Sequence, residues 1–162
     1  MKKHFPKILL ILHNIRSIYN VGSIFRTADA AGVSKIFLTG ITPSPRDRFG
    51  RMRKDFGKVS LGAEKNVLWE HSSDIFSVLE TLKKDNIQCI AIEQAPSAVD
   101  YKKVVPKKSY VLVFGNEVEG LPTEVLQKCD IIAEIPMNGI KESLNVSVSL
   151  GIALFRISEN TS

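Results

Sequence analysis

The chain has 162 residues, of which 44% are apolar, 24% charged and 7% aromatic, which is ordinary for a soluble globular protein. This length predicts a single domain, residues 1–162, that folds around its own core without disulfides or metals. The basic start of the chain is followed by only five consecutive apolar residues, Ile8 to Leu12, too few for a signal peptide or a membrane span. We therefore expect a cytoplasmic protein with no membrane contact.

The cysteines and histidines predict neither a disulfide nor a metal site. Cys89 and Cys129 lie among apolar neighbours, which predicts buried thiols. The three histidines are widely separated, which predicts no metal site.

The net charge of +5 is distributed unevenly along the chain. Residues 1–58 carry a net +9, residues 59–116 are balanced, and residues 117–162 carry a net −4. Most of the positive charge lies in a basic segment, residues 46–58, which also holds two phenylalanines. Such a mixture suits RNA phosphates and unstacked bases, although a solvated surface loop has the same composition. The residues concerned are Arg46, Arg48, Arg51, Arg53, Lys54 and Lys58, with Phe49 and Phe56 between them.

Short apolar runs recur along the chain, with helix-like stretches between them. The runs are continuous rather than alternating, which is typical of strands that are buried on both faces. Strands alternating with helices predict an α/β fold in which a parallel sheet has helices on both faces. The predicted strands are Ile8–Leu12, Ile36–Leu38, Val67–Trp69, Ile87–Ile92, Tyr110–Phe114 and Ile131–Ile135.

Two of the connecting stretches have clear helical periodicity. The first begins at Asn20, the expected N-cap, and ends at Gly32, where a helix terminus favours a left-handed residue. Arg26 lies off the apolar stripe of this helix, so it is not part of the core-facing side. The second helix is predicted over about Ser73 to Lys84.

The last helix begins near Asn145 and has an extensive apolar face. Ser147 and Gly151, four residues apart, leave a smooth strip along which another helix can approach closely. Either this strip joins two copies of the chain in a homodimer, or Gly151 lets the helix lie tightly on its own sheet. The apolar residues of the helix are Val146, Leu150, Ala153, Leu154 and Ile157.

Three polar, glycine-containing loops follow predicted strands. We call them the first loop (residues 13–20), the second loop (residues 114–122) and the third loop (residues 136–145). Open parallel sheets bind ligands at the carboxyl ends of their strands. These loops are therefore the candidate functional segments.

Several enzyme classes are excluded by the residues in these loops. Gly115 and Gly120 have the spacing of a phosphate loop, but Leu121 and Pro122 stand where such a loop needs Lys and Ser or Thr. No glycine fingerprint for a dinucleotide follows the first strand, and Ser143 has no histidine nearby in the sequence. The sequence thus has the features of neither a Walker-type NTPase, nor a dinucleotide oxidoreductase, nor a serine hydrolase.

Taken together, three motifs in and beside these loops resemble those of the SpoU, or TrmH, class of SPOUT RNA methyltransferases. Their order and spacing match, and the resemblance extends over nearly the whole chain, including Leu61-Gly62-Ala63-Glu64. The motifs are Asn20 with Arg26-Thr27-Ala28-Asp29, then Phe114-Gly115-Asn116-Glu117 with Glu119-Gly120-Leu121, then Ile135-Pro136-Met137 with Gly139 and Ser143-Leu144-Asn145-Val146-Ser147.

The resemblance implies an α/β fold whose C-terminal segment forms a deep trefoil knot. It also implies a homodimer, a bound S-adenosylmethionine and methyl transfer to a ribose 2′-hydroxyl of tRNA or rRNA. Without this resemblance, Arg26 would be interpreted as an ordinary exposed arginine on a helix, because such residues are common.

The resemblance also implies which residues form the site. The expected catalytic group is Arg26, which clamps the attacking oxygen or a neighbouring phosphate, supported by Asn20, Ser143, Asn145 and Glu117. Glu117 anchors either Arg26 or a facing loop, whereas Asn20 and Asn145 otherwise serve as helix caps. The residues expected at the cofactor are Phe114, Gly115, Asn116, Gly120, Ile135, Pro136, Met137, Ser143 and Leu144.

Two other interpretations remain open on the sequence. A non-catalytic RNA-binding module on the same fold would bind RNA without S-adenosylmethionine. A base methyltransferase is disfavoured because the Ser143-Leu144-Asn145 motif is that of the ribose class.

Overall fold

The computed structural model describes residues 6–161, so the basic start of the chain, residues 1–5, lies outside it. Seven strands form one sheet in the order β3-β2-β1-β6-β4-β7-β5, and every strand pair in it is parallel. The strands are β1 (Ile8–His13), β2 (Lys35–Thr39), β3 (Leu68–Ser72), β4 (Gln88–Ile92), β5 (Val99–Asp100), β6 (Tyr110–Phe114) and β7 (Ile131–Glu134).

Helices cover both faces of this sheet, as the sequence predicts. One core joins the sheet to α1 (Ile18–Ala30), α2 (Lys54–Ser60) and α5 (Val146–Glu159), and a second core joins it to α3 (Ile75–Lys84) and α4 (Thr123–Leu126). Within residues 6–161, no helix has the length and apolar content needed to cross a bilayer.

All six predicted strands are present, but β3 differs from the prediction. The run Val67–Trp69 was expected to be buried on both faces, whereas the strand is Leu68–Ser72 and mostly exposed, with Leu68 at 69%. The reason is position: β3 lies at the edge of the sheet, beside β2 alone. The two-residue strand β5 was missed because it is too short to have a recognisable period.

The basic segment is not a loop throughout, because its second part forms α2. Phe56 is fully buried, and its ring meets that of Phe25 on α1 edge to face at a centroid distance of 5.2 Å. Gly22 permits this close approach, since a Cβ added there would lie 3.0 Å from the Cβ of Val59. The sequence analysis does not predict this helix, because α2 is stabilised by packing rather than by a periodicity visible in its seven residues.

The start of α1 also differs from the prediction. Its N-cap is Ser17, whose hydroxyl accepts the backbone N–H of Asn20 at 3.1 Å, so Asn20 lies inside the helix. Ser and Asn are both good cap residues, and the sequence alone does not separate them. At the other end, Gly32 has the left-handed backbone that was expected, with φ of 74°.

Both cysteines are free thiols; Cys89 is buried and Cys129 is half-buried. Burial, and then the nearby Asp130 carboxylate, raise the pKa of Cys89 to about 11. Burial, followed by Cys89 and Asp130, raises the pKa of Cys129 to about 12. Both side chains are therefore neutral thiols near neutral pH, as expected of structural cysteines.

We expect the native thiols to react slowly with Ellman's reagent at pH 8, because the thiolate is the reactive species. The raised pKa values reduce the thiolate fraction relative to an ordinary cysteine by about 100-fold for Cys89 and about 1,000-fold for Cys129. The control is the same protein unfolded in urea, in which both thiols should react at the ordinary rate. Native Cys89 reacting as fast as the unfolded chain would contradict this assignment.

Candidate active site

The three candidate loops meet at the carboxyl edge of the sheet. The first loop follows β1, the second follows β6, and the third follows β7. Strands β1 and β6 are neighbours. From β1 the chain runs to β2 and β3 on one side, and it then crosses to β4 on the other side of β1. A crevice at such a change of direction is where open α/β sheets bind ligands.

A chain of hydrogen bonds joins all three loops. The carboxylate of Glu117, in the second loop, accepts the backbone N–H groups of Arg16 and Ser17, each at 3.2 Å. It also accepts the side-chain amide of Asn20 at 3.2 Å. Asn145, in the third loop, donates its side-chain amide to the Oδ1 atom of Asn20 at 3.2 Å. Of the two expected roles for Glu117, anchoring the facing loop is therefore the one that the structure has.

Asn20 lies at the centre of this chain and is only 7% exposed. Its side-chain NH2 group donates to Glu117, and its side-chain oxygen accepts from Asn145. The side chain therefore links the second loop to the third loop. Asn145 has two roles, because its Oδ1 atom also accepts the N–H of Ser147 at 2.9 Å and caps α5. The capping expectation is thus confirmed for Asn145 and wrong for Asn20.

The same hydrogen bonds control the ionisation of Glu117. Its partial burial would raise the pKa of this carboxyl, but the backbone N–H of Glu117 itself, those of Arg16 and Ser17, and the Asn20 amide together lower it. The net effect is a pKa below the ordinary glutamate value. The charged form is therefore the one that the loop arrangement stabilises.

The second loop has a turn that requires glycine at both ends. A Cβ on Gly115 would lie 2.6 Å from the carbonyl carbon of Gly120, so the two backbones touch. Gly120 has φ of 68° and packs against Glu93, whose Oε2 atom accepts the N–H of Leu121 at 2.9 Å. Inside the turn, the Oδ1 atom of Asn116 accepts two backbone N–H groups at 2.9 Å.

A cavity of about 310 Å³ lies between the second and third loops. Eight of the nine predicted cofactor residues line it, and the ninth, Pro136, lines a neighbouring concave surface. The eight are Phe114, Gly115, Asn116, Gly120, Ile135, Met137, Ser143 and Leu144. Sequence reasoning missed Glu93 and Gln94, although they follow the predicted strand Ile87–Ile92 at the same edge of the sheet.

The lining of this cavity is acidic. Among the described residues it includes five glutamates and no lysine or arginine. Such a lining suits a ligand with positive charge and opposes one with several phosphates. The glutamates are Glu93, Glu117, Glu119, Glu134 and Glu142.

Arg26 and the basic segment lie outside the cavity. Arg26 is exposed on α1 and forms no hydrogen bond or ion pair within residues 6–161. In the basic segment, Arg46, Arg48, Arg51 and Lys54 are exposed around a separate concave surface. Lys58 is exposed on α2, and Arg53 is half-buried beside Asp55. Within the described part of the chain, His, Cys, Asp and Glu side chains form no group of three that could hold a metal ion.

Comparison with known proteins identifies the family. The model of the SpoU rRNA Methylase family matches residues 7–155, so the chain belongs to this family. It is 34% identical to the 23S rRNA (guanosine-2′-O-)-methyltransferase RlmB of Neisseria meningitidis serogroup B, over 92% of this chain and 57% of that protein. The chain thus spans little more than half the length of the curated relatives it matches.

Solved structures support the same assignment. The fold resembles that of an AdoMet-bound rRNA methyltransferase from Sinorhizobium meliloti, with a TM-score of 0.84 and 29% identity over 96% of this chain and 58% of that one. It also resembles a structure solved to study 2-OH methylation of C/U34 on tRNA, with a TM-score of 0.78 and 25% identity. That likeness covers 96% of this chain and 97% of the other.

We expect Glu117→Gln to lower the free energy of unfolding by about 1–3 kcal/mol at pH 7, because the amide replaces an acceptor-only carboxylate facing three N–H donors. The pKa of Glu117 is lowered in the native state, so its stabilisation is present above the ordinary glutamate pKa and is lost as pH falls through the lowered value. The difference between wild type and variant should therefore shrink towards pH 3.

Urea unfolding at pH 7 and pH 3 measures this difference. Glu119→Gln is the matched control, since Glu119 is an exposed carboxylate in the same loop. A difference for Glu117→Gln that is equal at both pH values would show that the carboxylate charge is not what holds the loops.

Proposed function

We propose that this protein transfers a methyl group from S-adenosylmethionine to a ribose 2′-hydroxyl of tRNA or rRNA. The observation that supports this most is the hydrogen-bonded chain Glu117–Asn20–Asn145, which brings the three family motifs together beside the cavity. Family membership and the names of the matched relatives point the same way. A non-catalytic RNA-binding module is not favoured, because it would have no need of an acidic cavity beside these motifs.

The cavity has the chemistry that S-adenosylmethionine requires. Its glutamates complement the positive sulfonium and ammonium groups, and the absence of cations from its described lining fits a nucleoside without phosphates. Leu144 and Met137 supply apolar contact, while the tight turn between Gly115 and Gly120 offers backbone groups. Phe114, Asn116, Ile135, Pro136 and Ser143 complete the proposed cofactor site.

S-adenosylmethionine supplies an activated methyl group, so the main task of the protein is to position the ribose hydroxyl and to assist loss of its proton. Arg26 is always charged and makes a poor general base. Its planar guanidinium instead clamps the attacking oxygen or the adjacent phosphate, and the proton passes to a phosphate oxygen or water. Its freedom from partners within residues 6–161 leaves the whole fork available for RNA.

Asn20 acts as a positioning residue in this scheme. Because Glu117 and Asn145 hold its side chain, the start of α1 is fixed relative to the cavity, and Arg26 is held on the same helix about two turns further on. Ser143 lines the cavity and is exposed, so its hydroxyl is free to orient the ribose.

We expect Arg26→Ala to reduce methyl transfer by about 100-fold or more while S-adenosylmethionine binding stays within about twofold. Arg26→Lys should restore little activity, because a point charge does not replace a planar fork. Transfer of labelled methyl groups to host RNA and calorimetry measure the two properties. The control is Lys83→Ala, an exposed cation on α3 at the opposite face of the sheet. Near-normal transfer by Arg26→Ala would rule out this mechanism.

The homodimer remains a proposal, but part of the surface expected for it from the sequence lies in the core of the chain itself. Leu150, Leu154 and Ile157 are fully buried in the core of the chain itself, and a Cβ on Gly151 would face Thr27 of α1 at 3.8 Å. The three apolar residues are therefore not available to a second chain, whereas a Cβ at Gly151 would make only an ordinary contact. The sequence pattern showed an apolar helix without showing which part of it the chain's own core would cover.

A different face of α5 supports the dimer. Val148, Ile152 and Phe155 are 50%, 38% and 48% exposed, and their spacing places them on one side of the helix. An exposed apolar stripe of this kind marks an interaction surface. We propose that two copies of the chain bury it against each other.

We expect Ile152→Glu and Phe155→Glu to convert the dimer into folded monomers, because each places an unpaired charge in the proposed interface. Light scattering gives the mass, and circular dichroism checks the fold. Val105→Glu is the control, since Val105 is 64% exposed but lies in the connection before β6. A monomeric wild type would refute the proposal.

We also propose that residues 1–162 form one domain that acts in the cytoplasm, and that its C-terminal part is knotted. Support for the knot comes from the family and from the path of the chain after β7. The third loop touches the segment after β4, where the amide of Gln94 donates to the carbonyl of Glu142 at 2.7 Å, and α5 then returns to pack on α1.

A further inference from the structure

The first half of the basic segment is a compact hairpin. We call residues 46–52 the Phe49 hairpin; its ends are joined by an antiparallel bridge between Arg46 and Met52. Gly50 turns the chain with φ of 77°, and its carbonyl accepts the guanidinium of Arg46 at 2.7 Å. A charged segment that is merely solvated has no need of such closure.

Asp47 fixes the conformation of this hairpin from within. Its carboxylate accepts the backbone N–H of Phe49 at 2.8 Å and that of Arg51 at 3.0 Å. The second carboxylate oxygen accepts the Nε–H of Arg51 at 2.9 Å. The tip of the hairpin is therefore pre-organised, which lowers the entropy lost when it binds a ligand.

Phe49 is presented at the tip rather than buried. Its side chain is 66% exposed, although a phenylalanine normally gains free energy by burial. The guanidinium carbons of Arg48 and Arg51 lie 4.8 Å and 5.0 Å from the ring centroid, within cation–π distance. These three planar groups form an exposed surface, which we call the Phe49 platform.

The platform is tied to the elements that carry the proposed catalytic residue. The hairpin lies in the connection between β2 and α2. At the start of this connection, the hydroxyl of Thr42 donates to the carbonyl of Leu12 at 2.8 Å and accepts the N–H of Ile15 at 3.1 Å. At its end, the chain enters α2, which packs closely on α1, the helix of Arg26. The segment that carries the platform is thus anchored at both ends to the elements that hold Arg26.

We propose that the Phe49 platform stacks an unpaired nucleobase of a single-stranded RNA segment, while its guanidinium groups contact the flanking phosphates. This inference rests on the proposed function and specifies its substrate as RNA whose bases are accessible near the methylated ribose. Aromatic rings and guanidinium planes are the groups on which unstacked bases stack. Duplex RNA fits less well, because its base faces are covered by their neighbours.

The test compares two probes that carry the same number of phosphates: a short oligouridine and an abasic oligoribonucleotide of equal length. Fluorescence anisotropy measures the affinity of each. We expect Phe49→Ala to weaken oligouridine binding by about tenfold or more, to leave abasic binding unchanged and to keep the salt dependence. Phe49→Trp should restore binding, whereas Phe49→Leu should not, because leucine has no aromatic face.

Two further variants separate the contributions. Arg48→Ala should weaken binding of both probes and reduce the salt dependence, and it leaves the Asp47–Arg51 ion pair in place. Phe76→Ala is the matched control, because Phe76 is 43% exposed on α3, at the opposite face of the sheet.

Three results would overturn the proposal: equal loss of both probes in Phe49→Ala, full binding by Phe49→Leu, or no binding of oligouridine by the wild type. The proposed function is judged separately, by S-adenosylmethionine calorimetry and methyl transfer to host RNA. Active enzyme with a dispensable Phe49 would reject the platform alone. Absence of both cofactor binding and transfer would reject the proposed function.

Discussion

The arrangement of the site depends on one carboxylate that accepts hydrogen bonds from another part of the chain. Glu117 holds the backbone of the first loop and the amide of Asn20, and Asn20 in turn holds Asn145. Each bond crosses between segments about a hundred residues apart in the chain. A buried amide leaves few alternatives once both its ends are bonded, so the three loops are fixed as a unit rather than separately.

Acidic and basic side chains occupy different parts of this site. The C-terminal third of the chain, which is net negative, supplies most of the glutamates that line the cavity. The basic N-terminal third supplies Arg26 and the Phe49 hairpin, both outside that cavity. In the proposed function these two charge environments serve a cationic cofactor and a polyanionic RNA. The reaction would take place where they meet, so neither ligand is attracted into the site of the other.

Much of the fold was predictable because parallel strands leave a strong signal in the sequence. Continuous apolar runs such as Tyr110–Phe114 are buried on both faces, and the structure confirms them. Prediction failed where the decisive partner is distant in sequence. Helix α2 depends on Phe25, and the exposure of β3 depends on its place at the sheet edge. The apolar residues Leu150, Leu154 and Ile157 of α5 are covered by the core of the chain itself.

The sequence by itself determined the α/β class, the order of all strands but the short β5, and the three motifs with their spacing, because these depend on local periodicity and residue identity. Only the tertiary structure decided what each polar residue does. Ser17 and Asn20 are equally good N-cap residues by their chemistry. In the structure Ser17 caps α1, whereas the side-chain amide of Asn20 donates to the carboxylate of Glu117. Likewise, the exposure of Phe49 is settled by the fold of its hairpin. Such choices depend on which groups meet across the sheet, and local sequence does not contain that information.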